Sequence, residues 1–350
     1  MSLFVGLDVS QESTHISVVD QAGKESWHGK VHTSPDAIAL AVAEHAAGAD
    51  RIGMEAGPLS PWLYHGLKDK GLPIICIDAR SAKAGLTLQS INKTDRKDAR
   101  GLAQIMRTGW YRQVTVKEIE GHKQQTALAV RRQLVGMRTE CINQIRGILK
   151  LYGKVLPPRK LPSLKQLMLA DDLLAKALGA VYTVLETLRL QIKELDRTIE
   201  ELAENDEGCK VLQTIPGVGK ITAFAFASSI GDPARFKSSR SAGAYFGLTP
   251  RRDQSGQKDV LGRITKCGSH MVRAYLFEAA GCMLARTKSY SSLKNWGLRV
   301  KKRSGWKKAC IAVARKLAVI MCKMLQTGEC FRYGKEAQAD KTGLAMTAAA

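Results

Sequence analysis

From Leu174 the apolar residues fall at 174, 178, 181, 185, 188, 192, 195, 199 and 202. The intervals alternate four and three without a break, which is the seam of a long helix packed along another helix. Arg189, Lys193, Glu194, Asp196, Arg197, Glu200 and Glu201 fill positions between them. A looser version precedes this run at Ala127, Val130, Leu134, Met137, Cys141, Ile145 and Ile148. The segment YGKVLPPRKLP, with three prolines, separates the two as a linker or hairpin tip. The middle of the chain is therefore committed to two long helices. They either fold back on one another or pair between chains, and a coiled coil between chains is the favoured reading.

The first hundred residues have a different rhythm. LFVGLDVS, THISVVD and ESWHGKVHT are three short strand candidates close enough for a meander. Ser34 and Pro35 form an N-cap and first position for the helix DAIALAVAEHAAG. RIGMEAG then reads as strand, SPWLYHGLKDKG as helix and LPIICIDA as a buried strand, an α/β order. Thr94 is the expected N-cap of DRKDARGLAQIMRTG. The last third alternates short helices with loops rich in Gly, Pro and small residues.

Charge separates these regions. The chain carries +22, yet residues 235–335 alone hold 23 Lys and Arg against 4 Asp and Glu. A cationic block of that size points to a polyanion, most simply DNA or RNA, through phosphate contacts and counterion release. The eight cysteines include no CxxC pair, which excludes a zinc ribbon or a redox pair. No apolar run reaches the roughly 18–20 residues of a bilayer span, and the N-terminus has no signal-peptide pattern, so a cytosolic protein without a membrane partner is expected.

Several residues carry potential chemistry. Asp8 ends the first strand and Glu55 ends a later one, while Asp95 and Asp98 open a helix three residues apart, on one face. Acids in a first helical turn also favour the helix dipole, which is the structural alternative for that pair. As a set, four carboxylates at strand ends and a helix start suit Mg²⁺ or Mn²⁺ through hard oxygen donors. Lys93, Arg96 and Lys97 around them are expected phosphate contacts. IPGVGKITA, with Gly217, Gly219 and Lys220, has the form of a helix-hairpin-helix turn whose backbone amides can hold a phosphate. The basic helix RVKKRSGWKKACIAVARKLAVIMCKML offers Arg299, Lys301, Lys302, Arg303, Lys307 and Lys308 to phosphate or RNA. Ser255-Gly256, after Arg251 and Arg252, reads by composition as a turn.

The GLDVS, GMEAG and NKTDRKDAR segments resemble the RNase H-like nuclease domain of RuvC-type resolvases. In particular they resemble the DEDD transposases of bacterial insertion sequences, the bridge-RNA-guided recombinases. GLDVS also resembles the first phosphate loop of actin-like sugar kinases, but no Gly-rich second loop follows. The C-terminal third is similar to the DEDD group as well, in Gly247-Leu248-Thr249-Pro250, Ser255-Gly256, Gly262, Lys266-Cys267-Gly268 and Arg273…Leu276. The resemblance covers residues 3 to 330 and implies a DNA transposase. Asp8, Glu55, Asp95 and Asp98 would hold the metal, and Ser255 would be a nucleophile forming a phosphoserine link to DNA. It also implies donor and target DNA as partners, a structured noncoding guide RNA, a dimer or a tetramer on DNA, and a nucleoid-associated location. Arg251, Arg252, Lys266 and Arg273 join the expected nucleic-acid contacts. Tyr245 and Tyr275 lack the Arg/His pattern of a tyrosine recombinase. A hydrolytic junction resolvase using only the acids, and a non-catalytic DNA-binding protein, are the alternatives.

The expected organisation is an α/β, RNase H-like (RuvC-like) domain at 1–112 and a helical coiled-coil region at 113–206. A mostly α-helical C-terminal domain with a helix-hairpin-helix follows at 207–335, then a disordered tail at 336–350.

Overall fold

In the computed structural model, residues 2–89, 94–158, 161, 172–256 and 258–334 are described. Lys93, Gln257, residues 159, 160 and 162 of the proline-rich segment, and the tail lie outside the described residues. The chain forms two compact units, residues 1–119 and 120–350.

The first unit is built on β1 (Leu3–Val9), β2 (Ser13–Asp20), β3 (Glu25–His32), β4 (Arg51–Glu55) and β5 (Ile74–Ile77). They form one mixed sheet in the order β3-β2-β1-β4-β5. The meander β1–β3 is antiparallel, whereas β4 and β5 run parallel to β1. Alternation divides the faces cleanly. Val5, Leu7, Ile16, Val18, Ile52 and Met54 point to α1 (Pro35–His45) and α2 (Ser60–Asp69). Phe4 and Val19 point the other way, toward α4 (Asp95–Thr108), which follows α3 (Ala79–Gln89). Both expected caps form: the Ser34 hydroxyl accepts from the Ala37 amide and the Thr94 hydroxyl from Lys97.

The second unit begins with α5 (Ile119–Leu151) and α6 (Asp172–Glu204). Ile145 and Leu149 of α5 share a buried cluster with Leu178, Tyr182 and Leu185 of α6. Arg131 bonds to Asp196, and Leu128 and Ile199 both belong to the neighbouring core. As positions rise along α5 they fall along α6, so the pair is an antiparallel hairpin within one chain. The preference for a coiled coil between chains gains no support from this pairing: the Leu178–Leu185 part of the 4-3 seam packs on the chain's own preceding helix, and a heptad specifies a partner helix but not whose it is.

The remaining elements are α7 (Glu207–Gln213), α8 (Lys220–Ile230), a 3₁₀ turn (Pro233–Arg235), α9 (Ser241–Tyr245), β6 (Pro250–Ser255), β7 (Lys258–Ile264), α10 (His270–Ala285), α11 (Ser292–Ser304) and α12 (Trp306–Thr327). Phe224, Phe226, Phe246, Leu276, Met283 and Leu317 anchor their common core. Two features differ from expectation. The segment after Thr249 is a β-hairpin, not only a turn-prone loop. The basic helix is two helices broken at Gly305, whose φ of +84° takes the chain out of helical geometry. No described helix is long and apolar enough to cross a membrane.

Candidate functional site

Strand geometry orients the acids before any side chain is considered. Gly6 and Asp8 share one face of β1, and Gly53 and Glu55 share the same face of β4. Gly6 pairs in register with Gly53. Both glycines lie under α4: a Cβ on Gly6 would overlap the backbone of Ala99 and Ala103, and one on Gly53 would press on Met106. The Arg51 guanidinium donates to the Met106 carbonyl at 2.8 Å, fixing the C-terminal part of α4 near the start of β4. The helix therefore runs against β1, and its first turn, with Asp95 and Asp98, lies toward the Asp8 end. Asp8 and Glu55 line a cleft of about 450 Å³ with Ser10, Gln11 and Ser60. Ser60 donates to the Glu55 carbonyl at 2.9 Å and accepts from the Gly57 amide at 2.6 Å, which ties down the backbone that carries Glu55.

Two polar contacts reach α4's first turn from the meander. His15, opposite Asp8 in the register, places Nε2 3.8 Å from Asp95. Glu25 accepts from Ser17 at 2.8 Å and from the Arg96 guanidinium at 3.1 Å. Burial pushes the Glu25 carboxyl up, but Ser17 and Arg96 outweigh it and hold its pKa below the usual value. Sequence reasoning missed His15, Ser17 and Glu25. The signal was present: in THISVV, polar His15 and Ser17 alternate with apolar residues, marking a strand face that meets something polar. Among the described residues no three His, Cys, Asp or Glu side chains are grouped closely enough to hold a metal ion. The donor chemistry nevertheless suits a hard divalent cation: Asp8 and Glu55 stand at neighbouring strand ends, and Asp95 and Asp98 open the helix that lies toward the Asp8 end.

Ser255 ends β6, at the tip of an exposed two-stranded hairpin. It pairs with Lys258 across a two-residue turn, in which Gly256 has φ +55°. On the opposite face Arg252 grips Asp259 through two bonds of 2.8 and 2.7 Å. Lys258 also pairs with Asp253 at 3.3 Å, on the Ser255 face. The base of this hairpin explains the glycines around it. Gly247 and Gly268, both at positive φ, lie where a Cβ would overlap Cys267 and Tyr245 backbone atoms. Buried Arg273 donates to the Phe246 and Cys267 carbonyls at 2.9 and 2.8 Å, stapling the crossing. Its task is structural, not the phosphate contact expected. Lys266, at φ +56°, belongs to the same crossing.

α7 and α8 are joined through Gly217 and Gly219. Gly217, at φ +92°, packs where a Cβ would press on the α10 backbone, whereas Gly219 is open. Lys220 binds Glu204 at 2.5 Å and Glu200 at 3.4 Å. Around Gly305, Arg299, Lys301, Lys302, Arg303, Lys307 and Lys308 are all exposed. Lys301 lies 5.2 Å from the Trp306 ring centre. Arg251 and Lys97 are exposed as well.

Comparison with known proteins matches both halves of this picture. The DEDD transposase domain model of the IS110 group, described as "Transposase", matches residues 5–154. The model for "Transposase IS116/IS110/IS902 family" matches residues 209–295. Over 340 residues, 94% of this chain and 91% of the other, the sequence is 31% identical to the transposase for insertion sequence element IS1111A of Coxiella burnetii (strain RSA 493 / Nine Mile phase I). It is 29% identical over 247 residues to the transposase for insertion sequence element IS1328 of Yersinia enterocolitica, covering 69% of this chain and 74% of that one. The pilin gene-inverting protein of Moraxella bovis is 30% identical over 146 residues, 40% of this chain and 45% of its own. The mixed five-stranded sheet fits the RNase H-like fold that a DEDD domain suggests, and that domain implies dependence on a divalent cation. With both domain models matched and a 31% identical transposase aligned along 94% of its length, the chain belongs to the IS116/IS110/IS902 family of insertion-sequence transposases, enzymes that cleave and transfer DNA.

Proposed function

We propose that this transposase cuts and rejoins DNA through a phosphoserine link at Ser255, assisted by Mg²⁺ or Mn²⁺ on Asp8, Glu55, Asp95 and Asp98. The observation that carries the serine reading is the placement of Ser255 at the exposed tip of a hairpin whose base is stapled by Arg273. A nucleophile must reach a backbone phosphate without losing its orientation, and a stapled arm does both. The serine Oγ–P bond forms as the bond from phosphorus to the 3′ oxygen breaks. The hydroxyl proton leaves to solvent, and the departing oxygen takes one up. The number of phosphodiester linkages is conserved, so the reverse attack rejoins a strand without an external energy source. The relative named for inverting a pilin gene supports this, because inversion must reseal every strand it opens.

The bound cation would offset charge developing on the phosphate and the leaving oxygen. The residues' own part is to hold it. Asp8 and Glu55 approach from strand ends, and Asp95 and Asp98 from the helix start. Lys97 and Arg251 would contact the phosphate backbone, as would the exposed cations around Gly305. Gly219 and the α8 N-terminus offer amides to another phosphate. A structured noncoding RNA that pairs with donor and target DNA would supply sequence choice, and the exposed cations would hold such an RNA by its backbone. The active form is a homo-oligomer on DNA.

Ser255→Ala tests the reading. Loss of strand transfer together with loss of a DNA-linked protein band on denaturing gels is expected. Retained cleavage would favour hydrolysis by the acids alone. Sequencing the nucleic acid that co-purifies with the protein tests the guide: one defined RNA encoded beside the gene is expected, and random fragments would count against it.

A further inference from the structure

We propose that Ser17, Glu25 and Arg96 form a positioning latch that holds the first turn of α4, and with it Asp95 and Asp98, over the ends of β1 and β4. The body of α4 needs no such help. Gly6 and Gly53 let it lie flat on the sheet, and Ala99, Leu102, Ala103 and Met106 are buried there. Its C-terminal end is tied as well: Arg107 bonds Gln104, and Gln104 donates to the Gly23 carbonyl at 2.7 Å. The first turn is different. Thr94, Asp95, Arg96 and Lys97 are all exposed, so packing does not fix them.

What reaches that turn is polar. Ser17 is fully buried and the Glu25 side chain is 14% exposed, so the receiving end of the latch is rigid and poorly hydrated. A charge-assisted bond made there is stronger than one in open water. Arg96 lies between the two acids of the D-x-x-D pair, so fixing its side chain restricts the backbone that carries both. His15 adds a contact to Asp95 from the same strand face. Arg96 is then a positioning residue, not a phosphate contact. Outer-shell partners of this kind typically change metal affinity by about 10–100-fold.

The metal part of this inference rests on the carboxylate site proposed above, so the test has two arms on full-length protein. In the first, amide hydrogen exchange is followed along α4. Arg96→Ala and Glu25→Ala are each expected to speed exchange in the first turn about tenfold and to leave residues 102–106 unchanged, with Glu25→Gln intermediate. The double variant adds little, because both changes remove one bond. In the second arm, Mn²⁺ binding is read by electron paramagnetic resonance. The same variants weaken it about 10–100-fold. Asp8→Asn is the control: if it binds Mn²⁺ as the unaltered protein does, the metal reading fails and the exchange arm alone decides the latch. Unchanged exchange in both single variants overturns the latch. So does an Arg96→Ala protein that loses DNA affinity while exchange and Mn²⁺ binding stay as they were, since Arg96 would then be a phosphate contact.

Discussion

Arg273 and Asp95 show that burial, more than residue type, sets what a charged side chain does in this chain. Arg273 looks like another cation in a cationic region, yet it is buried and holds two backbone carbonyls. Burial pulls its pKa down, though a guanidinium stays charged. Arg273→Met leaves two acceptors unpartnered, at about 1–3 kcal/mol each. The expected result is a lower Tm and impaired strand transfer, with the salt dependence of DNA binding unchanged. A reduced salt slope at unchanged Tm would return Arg273 to the phosphate contacts. Asp95 is the converse, exposed and available to a ligand. Asp95→Asn is expected to keep the fold and DNA affinity while cleavage falls at least about 100-fold, the scale of removing one positioned electrostatic contributor. Gel-shift and cleavage assays on the same preparation read both outcomes.

Among elements, the seating of α4 on β1 is the decisive contact. Gly6→Ala puts a methyl into the α4 backbone. The helix must lift, at a cost of about 1–3 kcal/mol for overpacking. Because Asp95 and Asp98 ride on that helix, Mn²⁺ affinity should fall with stability, whereas Gly136→Ala, in open space on α5, should leave Mn²⁺ affinity unchanged. The same elements show what could be read in advance. Asp8 and Glu55 were legible because each ends an apolar run, and the Ser34 and Thr94 caps were legible because capping is local. The β6–β7 hairpin was not. Both strands are exposed on both faces, so the apolar–polar alternation that marks a half-buried strand is missing. Val260 and Leu261 stand at 49% and 67% exposure instead of marking a core. The seam of α6 announced a long partner helix but left its owner open. Only the buried cluster of Ile145, Leu149, Leu178 and Leu185 assigns it to the same chain. Leu149→Ala should therefore cost about 2–5 kcal/mol in a urea melt, at any protein concentration. A cost that vanishes on dilution would mean that chains pair through this seam.

For the molecule as a whole, a net charge of +22 does not say which cations meet a polyanion. The structure sorts them. Lys220 is held by Glu200 and Glu204, Arg252 by Asp259, and Arg96 by Glu25. Their charge is already balanced within the protein, so meeting a phosphate requires breaking an existing bond. Lys301, Lys302, Lys307 and Lys308 flank Gly305, are exposed, and make no ion pair among the described residues. Each is free to displace a counterion from nucleic acid. Each phosphate contact contributes about 0.7–0.9 to the slope of log K against log salt, so changing these four lysines to glutamine should lower that slope by about 3 to 4. Changing Lys220 and Arg252 together should lower it by less than about 1, because those side chains release few ions on binding. Fluorescence anisotropy with a labelled duplex across a salt series measures both. Equal slope changes per residue in the two sets would mean that the internal ion pairs open on binding, and that the unpaired lysines around Gly305 are not the principal electrostatic contact.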